Sequence, residues 1–535
     1  MKKISFQFVT ILLVIGLSAC GWQHHDKQVV TTTTATAPVL SFSPSSGAVG
    51  SLVTLSGTDF SAATSVSIGG VTAILVNKST TDLTAMVMPG ASNGQVSYTD
   101  STGTTTISGT FNVSLTGVPA TPQGLNKLVA SGQTGAGAGP DGGGANTPAE
   151  QGYSIAVSAD GNTAVVGGPT DQSDSGVPNF GAAWVYTRDS SGAWAQQAKL
   201  FDATAGSAQQ GWSVAVSADG NTAVVGGPYD NNTVNNVAMT ADGAAWVYTR
   251  SGTTWAMQQK LVASDASSYT NQGNSVAVSA DGNTAVVGGD MDNGGNGAAW
   301  VWTRSGTTWT QQSKLFDASA PASIQQGWSV AVSADGSTVL VGGPYDYDSN
   351  YNLIGAAWVY TLSNGTWMPQ GKLTDASDLS GNCAGMTGPC QGWSVALSAD
   401  GNTAVVGGPS ENSGTGAAWV YTRSGGTWTQ PGSKLPTGTG TVGPAQQGIS
   451  VAVSADGTTA VVGGNTDSSN VGAAWVYALS GGTWTQPPNN ELSASDATVA
   501  SNQGYSVALS ADGSTAMVGG YKDSGNVGAA WPYIP

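Results

Sequence analysis

The chain has 535 residues, and its 32 acidic residues outnumber its 15 basic residues, which gives a net charge of −17. Such a surface repels nucleic acid, so we expect no nucleic-acid partner. Only 9% of the residues are charged and 77 are glycine, which suits β structure with many turns.

The first 19 residues have the pattern of an export signal. Lys2 and Lys3 precede an apolar run from Phe8 to Leu17 that is too short to span a bilayer, and small residues then lead to Cys20. The segment resembles a bacterial lipoprotein signal. The resemblance implies that residues 1–19 are removed and that Cys20 is lipidated, which would anchor the chain in the bacterial cell envelope. An ordinary secretory signal with a chance cysteine is the alternative.

Residues 20–37 are rich in threonine, and we interpret them as a tether. From residue 38 to about 114, alternating runs such as LVTLSGTDF and GQVSYTD are separated by turn residues, a pattern typical of a small antiparallel sandwich. The stretch SFSPSSGAVGSLVTLSGTDF resembles an IPT/TIG domain, an immunoglobulin-like module. Such modules act as spacers in surface proteins and as DNA-contacting or dimerising units in some transcription factors. The export signal and the acidic charge favour the spacer.

A linker, residues 115–124, leads into seven repeats that fill residues 125–535. Each begins with Gln-Gly, and successive starts lie 54 to 65 residues apart, at Gln151, Gln210, Gln272, Gln326, Gln391, Gln447 and Gln503. Each unit has four strand-like runs, as in SVAVS, TAVVGG, AAWVYT and TWTQQ, which predicts a β-propeller blade. The last unit lacks its fourth run, and residues 126–129 match that run. The sequence therefore predicts an all-β protein, an immunoglobulin-like sandwich followed by a seven-bladed propeller that an N-terminal strand closes.

Two connections in each unit vary in length, and in a four-stranded blade both emerge on the same face. The connection after Gly-Gly has 7 to 15 residues, and the one before Gln-Gly has 9 to 22. Cys383 and Cys390 lie in one of these connections, and in an exported protein we expect them to form a disulfide. Because binding sites tend to lie on loops of a rigid scaffold, this face is the candidate ligand face.

Two sets of side chains on that face are candidates for ligand binding. An acidic residue stands three positions after each Gly-Gly. These residues are Asp171, Asp230, Asp292, Asp346, Glu411, Asp467 and Asp523, and we add Asp348, which lies close to Asp346 in the sequence. These carboxylates would attract cations such as calcium, or cap a turn. The position after Gln-Gly should border the central channel, and it holds Tyr153, Trp212, Asn274, Trp328, Trp393, Ile449 and Tyr505. This set would bind an apolar or sugar-like ligand, or pack the blades.

The units resemble the FG-GAP repeats of integrin α-subunit propellers through Gly152, Pro169, Gly181 and their equivalents. The resemblance implies adhesion or protein binding. In two respects the chain departs from that family. The Phe of Phe-Gly is Gln, and the calcium loop is reduced to S-A-D-G-N with one carboxylate, as at Asp160. One carboxylate per turn is too few for such a calcium site, so we do not transfer calcium binding to these turns and predict no cofactor, with calcium on the acidic set as the alternative.

The histidines do not support catalysis. His24 and His25, the only two in the chain, lie in the tether, so no histidine-based triad is expected in the folded domains. We predict a lipoprotein that binds a protein or glycan partner and is not an enzyme. A structural envelope protein without a discrete ligand is the alternative, and a carbohydrate-active enzyme that uses paired carboxylates is the third possibility.

Overall fold

A computed structural model describes most of the chain after residue 39. The described residues are 40–114, 123–124, 127–131, 148–172, 179–231, 233–234, 237–238, 242–321, 323–378, 381–383, 386–429 and 434–534. The predicted signal peptide, Cys20 and the tether lie outside them. Within these ranges, no helix is long and apolar enough to cross a membrane.

The first domain is an immunoglobulin-like arrangement of eight strands with one short 3-10 turn, Phe60–Ala62. Phe60 and Tyr98 pack edge to face with ring centres 5.0 Å apart, and Leu55 and Leu83 are fully buried beside them. The apolar residues alternate along each strand and so line one core. The strands are Ser41–Ser43, Ser46–Gly47, Leu52–Ser56, Ser65–Ile68, Val71–Lys78, Asp82–Met86, Gly94–Asp100 and Gly103–Val113.

The remainder forms seven blades around a central channel, as the repeats predict. The first strand of each blade lies nearest the channel, and these strands are Ser154–Val157, Ser213–Val216, Ser275–Val278, Ser329–Val332, Ser394–Leu397, Ser450–Val453 and Ser506–Leu509. The second strands are almost wholly buried because blades cover both of their faces. They are Thr163–Gly168, Thr222–Gly227, Thr284–Gly289, Thr338–Gly343, Thr403–Gly408, Thr459–Gly464 and Ala516–Gly520.

The third strands carry the Trp of Gly-Ala-Ala-Trp, and these Trp side chains are buried in the blade core. The third strands are Ala182–Arg188, Ala244–Ser251, Ala298–Ser305, Ala356–Ser363, Ala417–Ser424, Ala473–Ser480 and Ala529–Ile534. The fourth strands, at the outer edge, are Trp194–Leu200, Thr254–Leu261, Thr308–Leu315, Thr366–Leu373, Thr427–Thr429 and Thr483–Thr485, the last continued by Glu491–Leu492. Smaller elements lie in the connections: Thr233–Val234, Val237–Ala238, Asn382–Cys383, Met386–Thr387, Asp292–Gly295, Glu411–Gly414, Asp467–Asn470 and Asp523–Asn526.

An N-terminal segment completes the seventh blade, as predicted, but its pairing begins at Gln123, inside the stretch predicted as linker. Gln123–Gly124 pairs with the third strand of that blade, and the backbone N–H of Leu128 donates to the carbonyl of Ala530 at 2.7 Å. Lys127 forms an ion pair with Asp523 of the same blade at 2.7 Å. The ring therefore has no unpaired seam between its first and last blades.

Backbone hydrogen bonds between neighbouring S-A-D-G turns form a closed circle around the channel. The alanine of each turn donates its N–H to the carbonyl of the next alanine at 2.8 to 3.2 Å. The circle passes through Ala159, Ala218, Ala280, Ala334, Ala399, Ala455 and Ala511 and returns to Ala159. We call the propeller face that carries these turns the turn face, and the opposite face, with the variable connections, the loop face.

The IPT/TIG-like domain covers the channel at the turn face. Met86 lines the same cavity as the seven alanines of the S-A-D-G turns, and Val76 packs into this apolar cluster. Gly50 approaches so closely that a Cβ added there would lie 2.5 Å from the carbonyl carbon of Ala511. The first domain is therefore packed against the propeller, which the prediction of a spacer did not include.

Candidate ligand-binding site on the loop face

Seven partly buried side chains border the channel where it opens on the loop face. They are the residues that follow Gln-Gly, and we call them the rim: Tyr153, Trp212, Asn274, Trp328, Trp393, Ile449 and Tyr505. Each precedes the first strand of its blade, so the innermost strands fix its place at the channel. The structure thus brings this predicted set together in one ring.

Rim neighbours contact one another around most of the circle. The ring centre of Tyr153 lies 4.8 Å from the ring centre of Trp212 and 4.9 Å from that of Tyr505. The Nε1 of Trp212 donates to the Oδ1 of Asn274 at 3.0 Å, and the Nδ2 of Asn274 donates to the carbonyl of Trp328 at 3.0 Å. These contacts hold the aromatic side chains in fixed orientations.

Three tyrosines form a second layer that sequence reasoning missed. Tyr521 packs 4.5 Å from Tyr505, Tyr229 packs 5.7 Å from Trp212, and Tyr345 packs 6.1 Å from Trp328, measured between ring centres. They stand one or two positions after Gly-Gly, where the other blades carry different residues. An aromatic residue at a position that is not aromatic in every repeat is the signal that would have identified them.

Two buried carboxyl groups beside the rim were also missed. Glu150 is 7% exposed, and burial raises its pKa to about 7 against the opposing effects of a Thr170 hydrogen bond and the charge of Lys522. Asp290 is 4% exposed, and burial raises its pKa to about 6 although Asn271 donates a hydrogen bond. Both depart from the repeat pattern, since Gln209 stands at the position of Glu150 and proline at that of Asp290 in several blades.

The two carboxyl groups lie close enough to the aromatic side chains to affect them. Burial chiefly raises the pKa of Tyr153 and of Tyr505, and the charge of Glu150 contributes to both. In the same way burial, followed by the charge of Asp290, raises the pKa of Tyr229 and Tyr345. The rim is therefore a ring of mostly aromatic side chains with buried titratable groups beside it.

The predicted ring of acidic residues is not an exposed cation-binding surface. Asp171, Asp230, Asp292 and Asp346 are all buried, because each lies inside its blade against the lysine of the fourth strand. The ion pairs join Asp171 to Lys199 at 2.7 Å, Asp230 to Lys260 at 2.5 Å, Asp292 to Lys314 at 2.6 Å, Asp523 to Lys127 at 2.7 Å, Asp346 to Lys372 and Glu411 to Lys434. Buried carboxylates need such partners, and here the partner is a lysine rather than a metal ion.

Asp348 does not join Asp346 in a metal site. Its Oδ1 accepts the backbone N–H groups of Asn350 and Asn352 at 2.8 and 2.9 Å, so it stabilises the turn that contains it. Among the described residues, no group of three or more His, Cys, Asp or Glu side chains is placed to hold a metal ion.

Blade six departs from the lysine pattern. Glu491 occupies the lysine position beside Trp475, and burial followed by the charge of Asp467 raises the pKa of Glu491. Asp467 accepts hydrogen bonds from the N–H of Val442 at 2.7 Å and from the hydroxyl of Ser468 at 2.8 Å. Blade six therefore brings two acidic side chains together where the other blades pair opposite charges.

Cys383 and Cys390 are bonded to each other, with Cα atoms 5.4 Å apart. They are buried in a small apolar cluster that includes Leu353, and Tyr345 and Trp393 pack against it. The carbonyl of Cys390 accepts the N–H of Trp393 at 3.3 Å. The disulfide loop thus supports the rim from behind.

On the turn face, polar side chains hold the strands and turns of each blade together. The Nε of Arg304 donates a hydrogen bond to the Oδ1 of Asn283 at 2.9 Å, and the guanidinium group stacks on Trp309. Arg250 and Arg423 repeat this arrangement in their own blades. Each S-A-D-G aspartate accepts hydrogen bonds from its own turn, as Asp160 does from Asn162 at 3.0 Å. These groups stabilise the hairpins.

Comparison with known families agrees with this architecture. Residues 38–121 match the IPT/TIG domain, and residues 255–302, in blades two and three, match the FG-GAP repeat. Among curated proteins, none matches the sequence. The chain therefore consists of an IPT/TIG domain followed by a seven-bladed β-propeller that contains an FG-GAP repeat.

Proposed function

We propose that this protein is a lipoprotein of the bacterial cell envelope that binds a protein or glycan partner through the loop face of its propeller, in an adhesion or scaffold role. One observation carries the proposal: the channel mouth on the loop face is bordered by aromatic side chains, while the IPT/TIG domain covers the opposite end. Tyr and Trp are enriched among the side chains that contribute most to binding energy at interfaces.

Exposed apolar side chains support the same face. They lie in connections of several blades on the loop face: Phe201, Tyr229, Tyr269, Met291, Phe316, Tyr351, Val442 and Val499. Single exposed apolar residues are ordinary, but a group on one face of a disc is typical of an interaction surface. The net charge of −17 also favours a protein or glycan partner over nucleic acid.

Site-specific cross-linking in the native host tests this function. A photo-reactive phenylalanine analogue would replace Tyr229 or Tyr351 on the loop face, and Met257 on the outer edge of blade two as the control. Tyr229 and Met257 are 40% and 48% exposed, so both probes can reach a partner. We expect cross-linked products from the loop face only. Cross-links from neither face would contradict the proposal and favour a structural envelope protein without a discrete ligand.

The membrane anchor has its own test. Replacing Cys20 with serine removes the thiol that a lipid would modify, so we expect the variant to lose incorporated fatty acid and to leave the membrane fraction. Gly21→Ala, one position further on, is the control and should remain lipidated. Unchanged fractionation of Cys20→Ser would contradict lipid anchoring.

A further inference from the structure

The rim lies at the loop-face end of the channel, and each of its side chains is partly exposed. At the turn face, Met86 of the IPT/TIG domain lines the same cavity as the seven alanines of the S-A-D-G turns. A ligand that approaches the propeller on the loop face can therefore reach the rim without meeting the IPT/TIG domain. Its first contacts would be with aromatic rings that are partly buried and held by their neighbours, such as Trp328 and Trp393 with ring centres 4.7 Å apart.

The polar groups that the rim and the second layer present to solvent are mainly uncharged. Asn274 presents an amide between two tryptophans, and the tyrosines of the second layer add hydroxyl groups. The two carboxyl groups, Glu150 and Asp290, are 7% and 4% exposed, so they stand behind the rim rather than on it. Aromatic surface with a few fixed polar groups is the lining that small, neutral, polar ligands require.

Lys522 already places a positive charge beside the rim. The Nζ of Lys522 lies 5.3 Å from the ring centre of Tyr521, and its charge lowers the pKa of Glu150. A basic side chain from a partner would have to displace Lys522 or reach carboxyl groups that are almost fully buried. These observations favour an uncharged ligand over a cationic one.

We propose that the rim binds a neutral oligosaccharide. The C–H faces of its sugar rings would stack on the rings of Trp212, Trp328 and Trp393, whose faces carry negative charge density, and its hydroxyl groups would bond to Asn274 and the tyrosine hydroxyls. Tyr and Trp suit this role because they offer a large rigid surface with a polar edge at a small cost in conformational entropy. This inference rests on the proposed function and names the ligand class for the same face.

Isothermal titration calorimetry on the full-length protein in detergent tests the inference. The probes are cellohexaose, chitohexaose and mannohexaose, each at millimolar concentration. We expect at least one to bind, and we expect Trp328→Ala to weaken it by about tenfold or more. Trp255→Ala is the matched control, since Trp255 lies on the outer strand of blade two with Arg250 stacked on it, and it should leave the affinity unchanged.

A second variant keeps the test decisive if Trp328→Ala misfolds. Tyr229 is 40% exposed, so Tyr229→Ala should fold normally and still weaken binding several-fold through its contact with Trp212. Binding that neither variant changes would overturn the inference, as would the failure of all three sugars to bind. If hexalysine binds and the sugars do not, the oligosaccharide is the wrong ligand class, but binding through the loop face remains supported. If loop-face cross-linking also fails, the proposed function itself falls.

Discussion

At the scale of single residues, the seven blades act as controls for one another. A lysine lies against the buried acidic residue in six blades, and in five of them its Nζ also lies over the ring of the buried Trp. In blade six Glu491 takes that position and faces Asp467. Two acidic groups in a half-buried site repel each other, so the electrostatic interaction at this position should be less favourable in blade six than in the other blades.

Restoring the lysine should therefore stabilise the protein. We expect Glu491→Lys to raise the free energy of unfolding by up to about 1 kcal/mol, because it replaces repulsion with the ion pair of the other blades in a site that solvent partly screens. A thermal melt at neutral pH measures the change. Glu491→Gln removes only the repulsion and should raise the melting temperature less. A lower melting temperature for the lysine variant than for the glutamine variant would contradict this account.

Glu150 predicts a pH dependence of stability. Its pKa is raised from the ordinary 4.5 to about 7 by burial, so the folded state binds a proton more tightly than the unfolded state. Stability from this group is therefore full below pH ~4.5 and is lost as the pH rises through ~7.

Glu150→Gln should remove this loss. Gln occupies the same left-handed backbone position at Gln209, Gln325 and Gln446, with φ between 55° and 58°, so the change introduces no new strain. We expect the variant to exceed the wild type in stability at pH 8 by on the order of 1–3 kcal/mol and to match it at pH 4. Denaturant melts at the two pH values measure the difference, and equal pH profiles would show that Glu150 is charged in the folded state.

At the scale of elements, the closing strand joins the two ends of the propeller. Leu128 is 7% exposed and packs among residues of blades one and seven, while its neighbour Val129 is 40% exposed. We expect Leu128→Ala to cost about 2–4 kcal/mol and Val129→Ala to change stability by less than about 0.5 kcal/mol. Proteolysis of the seventh blade under native conditions reports the loosening. Equal sensitivity of the two variants would mean that the strand does not hold the ring closed.

These elements were predictable because each is encoded locally and repeated. The S-A-D-G turn, the Gly-Gly strand end and the buried Trp recur seven times, so their spacing alone predicts blades and their number. The pairing of Asp171 with Lys199 was not predicted: the acidic residues were expected on the ligand face, either to attract cations or to cap a turn. The two side chains are 28 residues apart in sequence, and only the register of the third and fourth strands brings them together.

At the scale of the whole molecule, the IPT/TIG domain and the propeller pack through small residues. Alanine at each S-A-D-G turn leaves room for Val49, Met86 and their neighbours, and glycine at position 50 allows the backbones to approach. No local pattern encodes this contact, because alanine in a turn looks the same whether it faces solvent or another domain. Likewise the rim was predictable as a set, but its second layer and buried carboxyl groups depend on which blades become neighbours.

A bulky residue at position 50 should separate the two domains. Gly50 has φ of 91°, and a Cβ there would lie 2.5 Å from Ala511, whereas Gly70 has φ of 86° with nothing within 4 Å. We expect Gly50→Val to increase the radius of gyration in small-angle X-ray scattering. Gly70→Val carries the same backbone strain without the clash, so it should leave the radius of gyration unchanged. Identical scattering of the two variants would contradict the packing contact.

The covered end of the channel determines how many partners one copy can hold. A disc with two open faces could join two molecules and extend a chain, whereas one that presents a single face forms complexes of one to one. If the proposed lipid anchor holds the protein in a membrane, stronger attachment to a multivalent surface would come from many copies side by side, because together they present the loop face at a high effective concentration. Adhesion by this protein would therefore depend steeply on its surface density.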